Sequence, residues 1–272
     1  MAVACGIVFL AIVAFCYLGP FVAEACGVDA TTIDTVRGAS SPSWSHWFGT
    51  DTLGRDMLVR VMIGGRIAIL VATITTVIAL VIGVTWGATA AYAGGHVDNV
   101  MMRIVDALYG FPTVVLVIVV MSVFETRSLA ALFALIGAIS WLTMARITRG
   151  QVIALRHREF VEAARALGVP SARIIFRHVL PNAAGPVIVY ATLALPQVML
   201  TEAFLSFLGL GVQAPLASWG TLVTEGSSQI IVYPWLLAFP GIAMALTIMS
   251  LNFLGDGLRD ALDPQTRDLG TV

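Results

Sequence analysis

Six long apolar blocks alternate with polar or turn-rich segments along the chain. The first runs from about Met1 to Val22, the second from about Arg66 to Ala93, the third from about Met101 to Phe124 and the fourth from about Leu129 to Ile147. The fifth covers about Ala183 to Leu208, interrupted by Pro186 and Pro196, and the sixth about Tyr233 to Leu254. Blocks of roughly 20 residues, at 1.5 Å rise per residue, match a hydrocarbon core of about 30 Å. In lipid every backbone N–H and C=O must be paired inside the protein, which leaves only helices or closed barrels. Barrel strands are about ten residues long and alternate polar with apolar positions; these blocks are longer and do not alternate. The pattern predicts an all-α, polytopic transmembrane helical bundle of six spans.

Composition agrees with lipid as the main solvent, since 58% of the 272 residues are hydrophobic and 11% are charged. A mean hydropathy of +0.93 is more than a soluble domain can hide. The net charge of -1 excludes nucleic acid as a partner, because phosphate binding needs a clustered cationic excess. All 15 basic residues are arginine. Without lysine there is no Walker A loop and no Schiff base, so ATP hydrolysis is not expected in this chain. Cys5, Cys16 and Cys26 form no Cys-x-x-Cys pair and read as membrane packing plus a loop thiol. Ala23-Glu24-Ala25 has the shape of a signal-peptidase site, but the block before it starts without arginine and is longer than a signal core. A retained helix is expected.

Arginine placement orients the bundle. Residues 146–177 hold seven arginines, whereas residues 209–232 hold none, so the first segment is expected in the cytoplasm and the second outside. Six spans then put both termini in the cytoplasm, with Arg259 and Arg267 inside. The expected organisation is a first transmembrane helix at 1–23, an external loop at 24–65, and a core of five further helices at 66–272. Arg37, Arg55 and Arg60 fall in the external loop beside several aspartates, which predicts a folded loop with internal ion pairs.

The segment Glu159-Phe160-Val161-Glu162-Ala163-Ala164-Arg165-Ala166-Leu167-Gly168-Val169-Pro170-Ser171 predicts two short helices either side of a bend at Gly168. Small Ala163 and Ala164 permit close approach of another surface, with Glu159, Glu162 and the arginines at its edge.

Glu162-Ala163-Ala164, followed by Gly168 and by His178-Val179-Leu180-Pro181, resembles the EAA signature of bacterial ABC importer permeases. The general signature has isoleucine where this chain has His178. Arg-His-x-Leu-Pro-Asn at 177–182 is similar to the dipeptide, oligopeptide and nickel branch, as are 48–56, 206–211, Ser218-Trp219-Gly220, and 255–260 leading to Asp263-Pro264. The resemblance reaches from about residue 46 to 268 and is to the C-type subunit of a dipeptide permease. It implies a type I importer permease fold in the bacterial cytoplasmic membrane. It also implies coupling helices at about 156–178, with Glu159, Glu162, Ala163, Ala164, Gly168 and Pro181 at the contact with a cytoplasmic ABC ATPase. ATP and Mg would be held by the ATPases, with no cofactor in this chain. The other implied partners are a homologous second permease, an extracytoplasmic substrate-binding protein and membrane lipid. Short peptides are the first substrate class, with nickel chelates or haem as alternatives.

Several residues keep two readings. Glu202, a charge inside the fifth block, lines the substrate path or makes a structural hydrogen bond. Trp47 and Trp219 meet the substrate-binding protein or belong to an interfacial aromatic belt. Asp106 is expected to cap a helix or pair with Arg103, with a proton-carrying role as the other reading. The Gly83 to Gly87 element suits close helix packing. His46, His96, His157 and His178 are scattered over loops on both sides, and no metal site is expected from them. An ion-coupled secondary transporter is the alternative class; charged midplane residues and inverted repeats are its marks, and neither is visible here.

Overall fold

The computed structural model describes residues 1–28, 32–123 and 128–262. Asp263-Pro264, Arg267 and Phe124 lie outside the described residues. The helices in chain order are α1 (Ala2–Ala25), α2 (Met57–Ala93), α3 (Gly95–Tyr109), α4 (Thr113–Val123), α5 (Leu129–Leu155), α6 (Glu159–Ala166), α7 (Ser171–Ile174), α8 (Leu180–Phe207), α9 (Trp219–Ser227) and α10 (Trp235–Leu262). A π turn at Ile175–Val179 joins α7 to α8. Among the described residues, five helical stretches are long and apolar enough to cross a membrane, and α3 with α4 makes a sixth if the bent pair counts as one span.

Three boundaries differ from the apolar pattern. The third block is not one helix: α3 and α4 meet at 82°, across Gly110-Phe111-Pro112. Pro112 has no N–H to donate and disfavours helical geometry at Phe111. The second helix starts at Met57, nine residues before the polar side chain of Arg66 that marked its expected start. Asp56 caps it, its carboxylate accepting the Val59 N–H at 3.1 Å. The loop expected at 24–65 therefore ends in a helix. Pro186 and Pro196 do not interrupt α8, although each deletes one backbone donor.

The described chain forms two compact units. One comprises residues 1–73, 121–132 and 195–254. Its centre is Trp219, 0% exposed, whose Nε1 donates to Val61 O at 2.8 Å. Gly65 makes room for it: a Cβ there would lie 2.4 Å from both the indole ring and Cys16 Sγ. Outside this core, the loop between α1 and α2 is organised by Asp51. Its Oδ1 accepts the N–H groups of Leu53 and Arg55 at 2.9 Å each, and its Oδ2 accepts Arg55 Nε at 2.6 Å and Arg60 Nη1 at 2.7 Å. Arg60 also reaches Glu225 at 2.9 Å. His46 Nδ1 lies 2.8 Å from Asp56, and Arg37 bonds the other ring nitrogen. Phe48 stacks on Phe239 of α10 with ring centroids 4.0 Å apart. The loop is folded through its own ion pairs.

The second unit comprises residues 74–120, 133–194 and 255 onward. Here α2 and α5 touch backbone to backbone, since a Cβ on Gly87 would fall 2.2 Å from Ala145 O. Trp86, next to Gly87, and Trp141, one turn before Ala145, pack together with ring centroids at 5.1 Å. Ala88, Ala91 and Val152 extend this seam into the cluster that carries α6.

Candidate functional site

α6 is a short amphipathic helix whose charges suit its ends. Glu159 and Glu162 occupy the first turn and Arg165 the last, complementing the helix dipole. Val161 and Ala164 are buried against Ala88, Ala91, Val152, Ile174 and Val179. The helix ends in a Schellman motif: Gly168 N–H donates to Arg165 O at 3.0 Å and Val169 N–H to Ala164 O at 3.1 Å. Gly168 has φ +72°, the left-handed region that glycine enters without penalty. The turn sends the chain through Pro170 into α7 and then into α8.

The opposite side of this element is uncovered. Glu159, Glu162, Ala163, Gly168 and Pro181 are exposed, and Leu167 at the bend is 83% exposed. Ala164 differs from its neighbour Ala163: its methyl faces inward and anchors the helix. The exposed Leu167 and the charged edge of α6 stand on a knob anchored at both ends to membrane-length helices, a position that another protein can reach.

Arginines brace the knob from below. Arg149 makes a fork with Asp98, Nε to Oδ1 at 2.6 Å and Nη2 to Oδ2 at 2.7 Å, tying α5 to α3. Arg156 Nη1 donates to Ala91 O at 2.7 Å, tying the end of α5 to α2. Arg165 lies 5.2 Å from the Tyr92 ring centroid. The arginine excess of this segment thus has a structural use besides orientation. Nothing in the linear order pairs Asp98 with Arg149, 51 positions away; the usable signal was a charged residue bordering an apolar block on each helix.

Other predicted site residues fall elsewhere. Trp219, expected at a receptor contact, is wholly buried and holds α9 to α2 instead; as a bulky indole next to Gly65 it is a core residue. Trp47 is 66% exposed on the loop after α1. Glu202 is 1% exposed, with Oε1 accepting Ser206 Oγ at 2.7 Å and Ser218 Oγ at 2.6 Å. Of its two readings the structural hydrogen bond is realised, joining α8 to the cap of α9. Asp106 pairs with Arg146 of α5 at 2.7 Å, not with Arg103. His157 accepts from Arg156 Nε at 3.0 Å. Among the described residues no group of three or more His, Cys, Asp or Glu is arranged to hold a metal ion.

Residues 79–268 match the family described as binding-protein-dependent transport system inner membrane component. The oligopeptide transport system permease protein OppC of Escherichia coli (strain K12) is 46% identical over 266 residues, covering 98% of this chain and 87% of that protein. OppC of Bacillus subtilis (strain 168) is 45% identical over 239 residues, 88% of this chain and 78% of that one. The dipeptide transport system permease protein DppC of the same species is 44% identical, covering 83% of this chain and 71% of its own length. Among solved structures, an inward-facing form of the MetNI methionine ABC transporter superposes with a TM-score of 0.59 at 16% identity, covering 75% of this chain and 96% of that one. That likeness is one of fold.

Proposed function

The chain belongs to the family of binding-protein-dependent transport system inner membrane components, and on that premise we propose that it is one of two permease subunits carrying short peptides across a bacterial cytoplasmic membrane. The oligopeptide and dipeptide names of its relatives support peptides over nickel chelates or haem. The α6–Gly168–α7 knob faces the cytoplasm in this reading, with both chain termini on the same side. It seats in a cleft of a cytoplasmic ATPase that holds ATP and Mg, while a homologous permease completes the path and an extracytoplasmic receptor delivers substrate.

One observation carries the proposal. α6 is fixed to its own unit through Val161 and Ala164, yet leaves Glu159, Glu162, Ala163 and Leu167 exposed. A rigid handle joined to α5 at one end and α8 at the other passes a push from outside into membrane-length helices as rigid-body movement. No bond is made or broken in this chain. Trp47 is the residue we propose for receptor contact.

Affinity purification of the assembled importer tests the handle. Wild type retains a stoichiometric ATPase, and Glu162→Lys, which inverts an exposed charge without touching the core, releases it. Full retention by Glu162→Lys together with Ala163→Trp would remove α6 from the ATPase contact.

A further inference from the structure

We propose that the polar face formed by Asp106 and Tyr109 on α3 and Arg146 on α5, all exposed, with half-buried Thr143 on α5 and Tyr190 on α8, holds the charged ends and main chain of a short peptide in transit; this rests on the permease reading above. Arg146 Nη2 lies 2.7 Å from Asp106 Oδ1, and its guanidinium carbon sits 4.2 Å from the Tyr109 ring centroid. Tyr109 Oη is 2.6 Å from Thr143 Oγ1, and Tyr190 shares the same threonine from α8. Two tyrosines, from α3 and α8, therefore meet on Thr143 of α5, and the Asp106–Arg146 pair adjoins them through the Tyr109 ring.

Asp106 and Arg146 keep 60% and 42% of their side chains exposed. Arg146 opens the arginine-rich segment assigned to the cytoplasm, so this face lies at the inner end of the spans, where water reaches it. The α3–α4 break follows Tyr109 directly, with Gly110, Phe111 and Pro112 all exposed. Non-helical backbone leaves N–H and C=O groups that need water or protein as partners, so the break and the charged pair mark the same surface as wet or covered.

A cavity of about 440 Å³ adjoins it, with Tyr190 in its wall beside Ile147, Val189, Leu193 and Arg259. Its size falls within the roughly 300–1,000 Å³ of small-molecule sites. The wall is mainly aliphatic, which receives side chains without selecting among them. At rest Asp106 and Arg146 neutralise one another, and a partly exposed pair of this kind is weakly held. A zwitterionic peptide replaces that contact with two: its ammonium on Asp106 and its carboxylate on the Arg146 fork. The tyrosine hydroxyls then meet backbone amides. A lone metal cation finds one carboxylate and one repelling guanidinium, so the chemistry favours a ligand with both charges.

The test uses the assembled importer in proteoliposomes with its receptor and radiolabelled trialanine, reading peptides imported per ATP hydrolysed. Tyr190→Phe and Asp106→Asn are expected to lower that ratio about three- to tenfold, the size expected for one lost hydrogen bond. A merely structural role would lower import and hydrolysis together and leave the ratio at the wild-type value. Thr143→Cys is expected to react with a water-soluble maleimide and to be protected by receptor with trialanine. Wild-type ratios in both variants, or a Thr143→Cys that does not react in the complex, would overturn the site and identify this face as a covered subunit contact. A wild-type complex that hydrolyses ATP on receptor addition yet imports no trialanine would instead overturn the peptide-permease reading itself.

Discussion

Gly168 offers a clean separation between backbone conformation and surface contact at the handle. Its φ is +72°, and a Cβ placed there meets nothing within 4 Å. Alanine therefore adds no clash inside the subunit, only the cost of a left-handed conformation, about 1–2 kcal/mol. That corresponds to a factor of roughly 5–30 in the population of the bent state. Asparagine, which enters this region more readily, should cost less. Proline cannot adopt positive φ and also deletes the bond from Gly168 N–H to Arg165 O, 3.0 Å long, worth about 1 kcal/mol more. ATPase retained on affinity purification and ATP-driven uptake should both fall in the order glycine, asparagine, alanine, proline. The thermal midpoint of the purified subunit should fall by only a few degrees for alanine, because the bend is exposed and the Cβ meets no neighbour. Two results would refute this reasoning. Equal losses for asparagine and alanine would mean that any side chain obstructs a contact there and φ is irrelevant. Wild-type retention by Gly168→Pro would mean that the bend itself is dispensable.

Other perturbations probe the supports. Trp219→Ala removes a fully buried indole and should destabilise the purified protein by about 3–5 kcal/mol, read as a lower thermal midpoint in detergent; a midpoint equal to wild type would contradict its place in the core. Arg149→Met strands the Asp98 carboxylate and should cost about 2 kcal/mol, less than a fully enclosed pair because a third of the Arg149 side chain meets solvent. Adding Asp98→Asn should return part of that loss, and strictly additive effects in the double-mutant cycle would mean the two side chains do not interact. Trp47→Ala should leave the thermal midpoint alone and reduce receptor-stimulated ATP hydrolysis in the assembled complex; unchanged stimulation removes Trp47 from the docking surface.

Much of the architecture is written locally. A helix in lipid needs some 20 apolar residues in a row, so the spans are visible as blocks in the chain, and the turn at Gly168 is announced by a helix former run followed by Gly-x-Pro. The elbow residues Glu159 to Pro181 were legible for the same reason: their helices, stop and restart depend on near neighbours. The Gly83 to Gly87 element also declared itself, and Gly87 does meet α5 at backbone distance. Burial and pairing across helices were not legible. Whether Trp219 faces a partner or the core depends on Gly65 and Val61, more than 150 positions earlier. Asp106 has a candidate partner three residues back, yet its carboxylate is met by Arg146 across the seam between helices. The α3–α4 break was not read from the chain, although α3 carries Asp98, Arg103 and Asp106 and α4 carries no charge, since periodicity does not register an 82° change of axis. Local propensity and the demand of lipid for paired backbone settle which segments are helical. The choice among distant partners is made only when the helices pack, because burial is a property of the assembled surface and not of any stretch of chain.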